Sequence, residues 1–216
     1  MISGFAAGID LALYGAFDAG DYQNTYLTGC DVYAAGDARH RHVPHPGRLG
    51  DAVAAARCRP SVLAEVRVHR GMPVADFEPR FYAVSRAQQA EWEQDARVRM
   101  LTRSMRYRGW SVDRATGLVT RGDPPQEKGV DVGLAVDVLL TAASRHAEFD
   151  AFVVVSDDSD LLPALESFRD RRLGHLEVAS WSMYRRLRFP LSQLPYCHEL
   201  SRQTWDSVCD DWTGRP

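Results

Sequence analysis

The sequence predicts an α/β fold, a doubly wound and mainly parallel central sheet with helices on both faces. Three observations predict it. Strand-like apolar runs alternate with helix-like segments along 216 residues, a length that suits one domain. Phe149-Asp150-Ala151-Phe152-Val153-Val154-Val155 contains an unbroken apolar, largely β-branched run, the signature of a strand buried on both faces of a parallel sheet. That run stops abruptly at Ser156-Asp157-Asp158-Ser159-Asp160, and Leu161-Leu162-Pro163-Ala164-Leu165-Glu166 reads as the start of a helix. Pro163 is tolerated in a helix's first turn. An acidic cluster therefore falls where a buried strand hands over to a helix, and strand C-termini are where open α/β sheets bind ligands.

In chain order, Phe5 to Leu11 reads as a first strand with Asp10 near its end, and Leu13, Tyr14 and Phe17 continue an apolar segment with helical character. Residues Gly29 to Pro46 read as a loop. His40, His42 and His45 lie in it near Cys30, but their spacing matches no strong zinc pattern. Leu49 to Cys58 is alanine-rich and helical. Val62 to His69 alternates Val62, Ala64, Val66 and Val68 against Leu63, Glu65, Arg67 and His69, as a strand does. Ser85 reads as the cap of a polar helix over Arg86 to Asp95. Arg97 to Leu101 is a further strand, followed by a basic hairpin insertion near 103–121. Glu127 to Asp137 opens a helix whose apolar stripe is Leu134, Ala135, Val138, Leu139 and Ala142. Leu176 to Trp181 is another strand, and a C-terminal extension near 182–216 supplies a strand and a helix that close the sheet.

Composition narrows the function. Hydrophobic content of 45% is that of an ordinary globular core, and a net charge of −3 gives no global field to attract nucleic acid. Nucleic-acid binding would need a local patch. Cys30, Cys58, Cys197 and Cys209 are widely spread without a C-x-x-C pair, which predicts reduced thiols and a cytoplasmic protein. No apolar run reaches membrane-spanning length, and no basic segment precedes the first apolar residues, so neither a membrane span nor a secretory signal is expected.

Crowded carboxylates repel one another unless a cation neutralises them or some are protonated. Oxygen-rich sites of this kind suit Mg²⁺ or Mn²⁺. The competing reading is a solvated turn with a helix cap, since Asp and Ser favour both. Asp131 lies in the first turn of its helix, favourable against the helix dipole. Asp137, six residues on and about 9 Å along the axis, interrupts an apolar run and reads either as an exposed break or as a functional charge in the groove that supports Asp131 from one side. Arg103, Arg106 and Arg108 surround Tyr107 and Trp110, with Arg185 and Arg186 further on. Arginine for phosphates with aromatics for stacking is how single-stranded nucleic acid is held. An ordinary solvated hairpin is the alternative. Lys128 is the sole lysine of the chain.

Lys128-Gly129-Val130-Asp131-Val132-Gly133-Leu134-Ala135-Val136-Asp137, followed by Val153-Val154-Val155-Ser156-Asp157-Asp158-Ser159-Asp160-Leu161-Leu162-Pro163-Ala164-Leu165-Glu166, resembles the NYN domain. That is a PIN-like metal-dependent ribonuclease fold, and the chain is similar to its bacterial LabA-like branch over roughly Val62 to Trp181. The resemblance implies catalytic roles for Asp131, Asp137, Asp158 and Asp160, with Asp131, Asp158 and Asp160 as metal ligands. The family's first acidic residue ends the first strand in a pattern close to I-D-G-x-N. Ile9-Asp10 matches its start and makes Asp10 a catalytic and metal-ligand candidate, although Leu11 replaces the glycine and Leu13 the asparagine. Asp157 stands where many members have glycine. The resemblance implies RNA as partner, with Lys128 on a phosphate, Mg²⁺ or Mn²⁺ as cofactor, and hydrolysis by metal-activated water. It leaves a homodimer open. Two other readings compete, a non-catalytic RNA-binding or adaptor module on the same fold and a Toprim-like phosphohydrolase. The second needs a glutamate after an early strand, and none is obvious.

Overall fold

Five consecutive apolar residues, Ala151–Val155, form strand β7, and every one is buried. The computed structural model describes residues 7–14, 25–145, 148–182, 189 and 195–213, the first of these segments by its backbone alone. Around β7 lie β1 (Ala7–Tyr14), β3 (Ser61–Met72), β4 (Val98–Ser104), β8 (Leu176–Trp181) and β9 (Tyr196–Leu200). They make a six-stranded sheet in the order β4-β3-β1-β7-β8-β9. Every pairing is parallel, so all the C-terminal strand ends share one edge. From β1 the chain builds outward through β3 and β4 on one side and through β7, β8 and β9 on the other. The strand order thus changes direction between β1 and β7, and in open parallel sheets that switch point is where a crevice forms.

The helices are α1 (Thr25–Tyr33), α2 (Pro46–Ala56), α3 (Pro79–Trp92), α4 (Val130–Arg145), α5 (Leu162–Asp170) and α6 (Arg202–Val208). Strand side chains alternate between two cores, as the period of two requires. Val153, Val155, Ala179 and Trp181 pack with Leu27, Val53 and Trp205 from α1, α2 and α6. Phe152, Val154 and Val178 pack with Leu134, Val138, Leu165 and Phe168 from α4 and α5. Two small antiparallel ribbons complete the described residues: β2 (Val43–Pro44) with β10 (Cys209–Asp210), and β5 (Ser111–Val112) with β6 (Val119–Thr120) in the basic insertion.

Several expected boundaries are corrected. Leu13 and Tyr14 belong to β1, and the stretch expected as a loop from Gly29 begins inside α1. Gly29 is helical because a side chain there has no room: a Cβ would lie 2.0 Å from the Trp205 ring. Ser85 does not cap a helix. It lies buried inside α3, which starts at Pro79, where a fixed φ suits the first turn. Its Oγ accepts from Arg70 Nη2 at 3.2 Å, while Gln88 Oε1 accepts from Arg70 Nη1 at 3.1 Å. A buried guanidinium on β3 therefore decides which face α3 turns inward. Past Trp181, β9 is the sixth strand of the sheet, and Ser201 caps α6 by accepting from Thr204 N at 3.2 Å.

Near the N-terminal ends of the strands, β8 carries a buried ionic cluster. Glu177, 5% exposed at its side chain, accepts from Arg57 Nη2 at 2.7 Å and pairs with His198 Nε2 at 2.6 Å and His175 Nε2 at 2.9 Å. Burial by itself raises this carboxyl, but the bonds from His198 and Arg57 outweigh it and bring it from 4.5 down to about 2. A carboxyl lowered on folding stabilises fully above its unfolded value and loses that contribution as it protonates. Stability should therefore fall as the pH drops from about 4.5 toward 2. Glu177→Gln leaves Arg57 buried without its counter-charge, which should cost roughly 3–5 kcal/mol. Urea unfolding measured across that pH range checks both: the variant should be weaker near neutral pH and show a shallower acid slope.

Candidate active site

The acidic segment sits at the C-terminal edge of β7, beside the crevice. Ser156 Oγ accepts from Asp158 N at 3.1 Å, and Asp158 Oδ1 accepts from Asp160 N at 2.9 Å. These bonds fold Ser159–Leu161 into a single 3₁₀ turn with Asp158 as its cap, and α5 follows directly. The capping reading of the sequence is thus realised, and it uses one Asp158 oxygen. Burial raises the Asp158 carboxyl above its usual range; the Asp160 N–H opposes this, and the charges of Asp160 and Asp131 add to it. This turn packs against α4, and in this region Asp158 feels the charges of both Asp160 and Asp131.

Asp131 reaches that region from the first turn of α4. Gly129, with φ +73°, makes the backward step that starts the helix, a left-handed conformation that glycine adopts without strain. The face of α4 toward β3 is held by polar contacts in place of apolar packing. Ahead of the helix, Glu127 Oε1 accepts from Gly71 N at 2.6 Å. Midway, Asp137 Oδ2 lies 2.8 Å from Arg67 Nε and 3.0 Å from His69 Nε2. At the far end, Arg145 Nη1 donates to Glu65 Oε2 at 2.7 Å.

Asp137 consequently serves β3. Burial tends to raise its carboxyl, but the His69 bond and the charges of Arg67, His69 and Arg99 hold it below the usual range. None of those partners is an acidic-loop residue. The expectation that Asp137 joins the catalytic carboxylates is corrected: its Oδ2 is already committed to two cationic or proton-donating groups. The expectation that Asp10 ends the first strand is corrected as well. Asp10 lies mid-strand in β1, opposite Phe152 and Glu65, and the register continues through Leu13, opposite Val155. That leaves it about 10 Å short of the β7 edge at the usual rise per residue.

The basic patch divides. Lys128 is exposed immediately before α4, and Arg106 and Arg108 are exposed on the insertion. Arg103 is exposed and crosses the first turn of α4, where a Cβ on Gly133 would lie 3.2 Å from its Nε. Tyr107 and Trp110 have internal work. Their ring centroids are 5.1 Å apart, and Phe77 packs 4.8 Å from Tyr107. Tyr107 Oη donates to Glu78 Oε2 at 2.6 Å and accepts from Val74 N at 3.2 Å. Trp110 Nε1 donates to Asp123 O at 2.6 Å, and Arg121 lies over its ring at 5.6 Å. Arg185 and Arg186 lie outside the described residues.

Residues overlooked from sequence include Asp157, Thr28, Arg67 and His69. Thr28 Oγ1 donates to Asp157 Oδ2 at 3.1 Å, and Asp157 Oδ1 is enclosed without a partner among the described residues. Burial raises the Asp157 carboxyl, more than the Thr28 bond lowers it. The signal for Arg67 and His69 was in the alternation of β3, which sets Glu65, Arg67 and His69 on one face of a buried strand.

Oxygen donors alone, with a carboxyl raised by burial and then by its acidic neighbours, fit a hard divalent cation. Among the described residues no group of three or more His, Cys, Asp or Glu is arranged to hold one. Mg²⁺ needs no such cage: it keeps several waters and binds through one or two carboxylates plus substrate phosphates. Asp131 and Asp158 match that smaller requirement.

Against known families, residues 61–184 match the NYN domain, more than half of the chain. The chain belongs to the NYN domain family. Membership brings a PIN-like α/β fold and, at a coarse level, a nuclease activity. The matched span contains β3, α4, the acidic loop and β8. No curated protein matches the chain. A solved structure of a protein of unknown function from Vibrio parahaemolyticus is similar at 15% identity and a TM-score of 0.42, over 83% of this chain and 85% of that one. A likeness at that level carries no argument about function.

The two helix aspartates should separate on substitution. Asp137→Asn removes the counter-charge of a buried arginine and should lower stability by roughly 3 kcal/mol or more. Asp131→Asn, at a partly exposed position with no such partner among the described residues, should stay within about 0.5 kcal/mol. Paired denaturant titrations of the two variants check this.

Proposed function

We propose that this NYN domain is a metal-dependent ribonuclease that hydrolyses RNA phosphodiester bonds, with Asp131, Asp158 and Asp160 as its acidic site. The observation that carries the reading is the arrangement at the C-terminal edge of β7, where Asp158 caps the turn that bears Asp160 and that turn packs against α4, the helix with Asp131 in its first turn. The doubly wound arrangement belongs to the same proposal, supported by the two cores into which the side chains of β7 and β8 alternate. Mg²⁺ or Mn²⁺, when bound, supplies Lewis acidity toward the phosphate and lowers the pKa of a bound water.

The chain's own residues prepare for that chemistry. Asp158 is held in place by the Asp160 N–H, so its carboxylate has one geometry at the sheet edge. Asp131 is fixed by α4, whose N-terminal dipole favours negative charge and so welcomes both a carboxylate and a phosphate. Lys128, exposed just ahead of that helix, would contact a backbone phosphate. Arg103, Arg106 and Arg108 would hold the strand as it enters. Single-stranded RNA is the substrate class because its backbone is not constrained by a duplex. A cytoplasmic location accords with four free cysteines, and among the described residues no helix is long and apolar enough to cross a membrane. One observation favours a second reading, an RNA-binding module without cleavage: Asp10 sits mid-strand, away from the edge.

Asp158→Asn decides between ligand and cap. Asparagine caps about as well as aspartate, so a pure cap would tolerate the change. A metal ligand would not. Without metal, the variant should be as stable as the wild type or more so, because like-charge repulsion is relieved. With Mn²⁺ it should lose the thermal stabilisation that a native-state ligand confers, and its cleavage of labelled RNA should vanish. Retention of both the Mn²⁺ shift and the cleavage refutes the site.

A further inference from the structure

Beside the acidic site, an open cleft of about 610 Å³ lies between α4 and the C-terminal ends of β3 and β4. His69, Thr102, Arg103, Val130, Gly133 and Asp137 are among its lining residues. It starts at the first turn of α4, one residue from Asp131. His69 is only 5% exposed, yet it lines this cleft. Among the described residues its one hydrogen-bond partner is Asp137, reached through Nε2 at 3.0 Å. Among the same residues its Nδ1 takes no hydrogen bond, and the ring borders the open space.

The bonding logic gives that atom a chemistry. An ionised carboxylate only accepts, so the His69 Nε2 must be the N–H donor to Asp137. In its neutral form the ring then presents Nδ1 as an acceptor. Arg67, bound to the same Asp137 oxygen at 2.8 Å, already balances that carboxylate. The cleft therefore offers a fixed acceptor at its floor and a guanidinium, that of exposed Arg103, at its rim. An acceptor for a hydroxyl beside a cation for a phosphate matches one nucleotide unit, a ribose 2′-OH next to a phosphodiester.

We propose that this cleft is a ribonucleotide subsite, in which His69 accepts a hydrogen bond from a 2′-OH and Arg103 contacts the neighbouring phosphate. Asp137 is then a positioning residue that fixes the tautomer and direction of His69. The subsite deepens the ribonuclease reading and rests on it for the path of the strand, while its binding role is measurable without cleavage. The 2′-OH is the group by which a protein tells RNA from DNA.

The test uses the full chain in EDTA, where metal-dependent cleavage is silent, with fluorescein-labelled 12-nucleotide oligo-U RNA and the matching 2′-deoxy strand. The wild type should prefer the RNA, and His69→Gln, which keeps a donor toward Asp137, should reduce that preference roughly five- to tenfold, the effect of one neutral hydrogen bond. Arg103→Gln, on an exposed side chain, should weaken both strands alike and lower the salt slope by about 0.7. A 2′-O-methyl oligo-U, which lacks the hydroxyl donor, should bind the wild type no better than the deoxy strand; this arm holds even where His69→Gln fails to fold. Equal affinity of the wild type for RNA and deoxy strands, or an unchanged preference in a folded His69→Gln protein, overturns the hydroxyl contact. An unchanged slope in Arg103→Gln overturns the phosphate contact. A retained RNA preference in a protein that never cleaves RNA with Mn²⁺ present would instead sink the ribonuclease and leave the subsite standing.

Discussion

Everything at the proposed site depends on where α4 lies, and α4 is placed on β3 by charge. Glu127 holds the Gly71 amide, Asp137 holds Arg67 and His69, and Arg145 holds Glu65, one contact before the helix, one midway and one at its end. A purely apolar face could slide along the strand with little penalty. A ladder of directional polar contacts has one register, because any shift leaves a buried charge unpaired. That register carries Asp131 to the edge beside Asp158. The adjoining apolar stripe of the helix does the hydrophobic work, with Leu134, Val138 and Ala142 buried in one core with residues of β7 and α5.

This division separates two kinds of carboxylate on one helix. Asp137 sits among positive and proton-donating groups and is held low; Asp158 is pushed up by burial, with the negative charges of Asp160 and Asp131 adding to it. Opposite shifts of this kind assign opposite roles: the first carboxylate is spent on structure, and the second keeps the unrelieved charge that a cation or phosphate-bound metal would relieve. At the other edge of the sheet, Glu177 repeats the structural pattern with Arg57 and His198. Carboxylates are thus satisfied where the fold needs them and left crowded at the crevice.

The central strands were legible because their pattern admits few alternatives. Ala151–Val155 is apolar at every position and can only be buried, and the acid–turn–helix sequence after it fixes the direction of the chain. The helix α4 was legible from its apolar stripe, although it starts at Val130 and Glu127 lies ahead of it. What escaped the sequence depended on partners far along the chain. Gly29 looks like a loop residue until Trp205 is seen filling the space where its side chain would be. Ser85 resembles a cap, a role fixed by local preference, but the buried Arg70 guanidinium claims its hydroxyl. Asp137 was recognised as a charge interrupting an apolar stripe, yet the residues it answers to stand on β3. Tyr107 and Trp110 looked free to stack on bases because Phe77, their actual neighbour, lies in a different segment.

The central claim is that this helix register brings Asp131 and Asp158 together as the ligands of one divalent ion. Anomalous scattering from crystals of the full chain soaked in MnCl₂ tests it most directly. The account predicts one strong peak bridged by the Asp131 and Asp158 carboxylates, with water completing its shell. Manganese bound elsewhere on the protein at saturating concentration, with none between those two side chains, would contradict it.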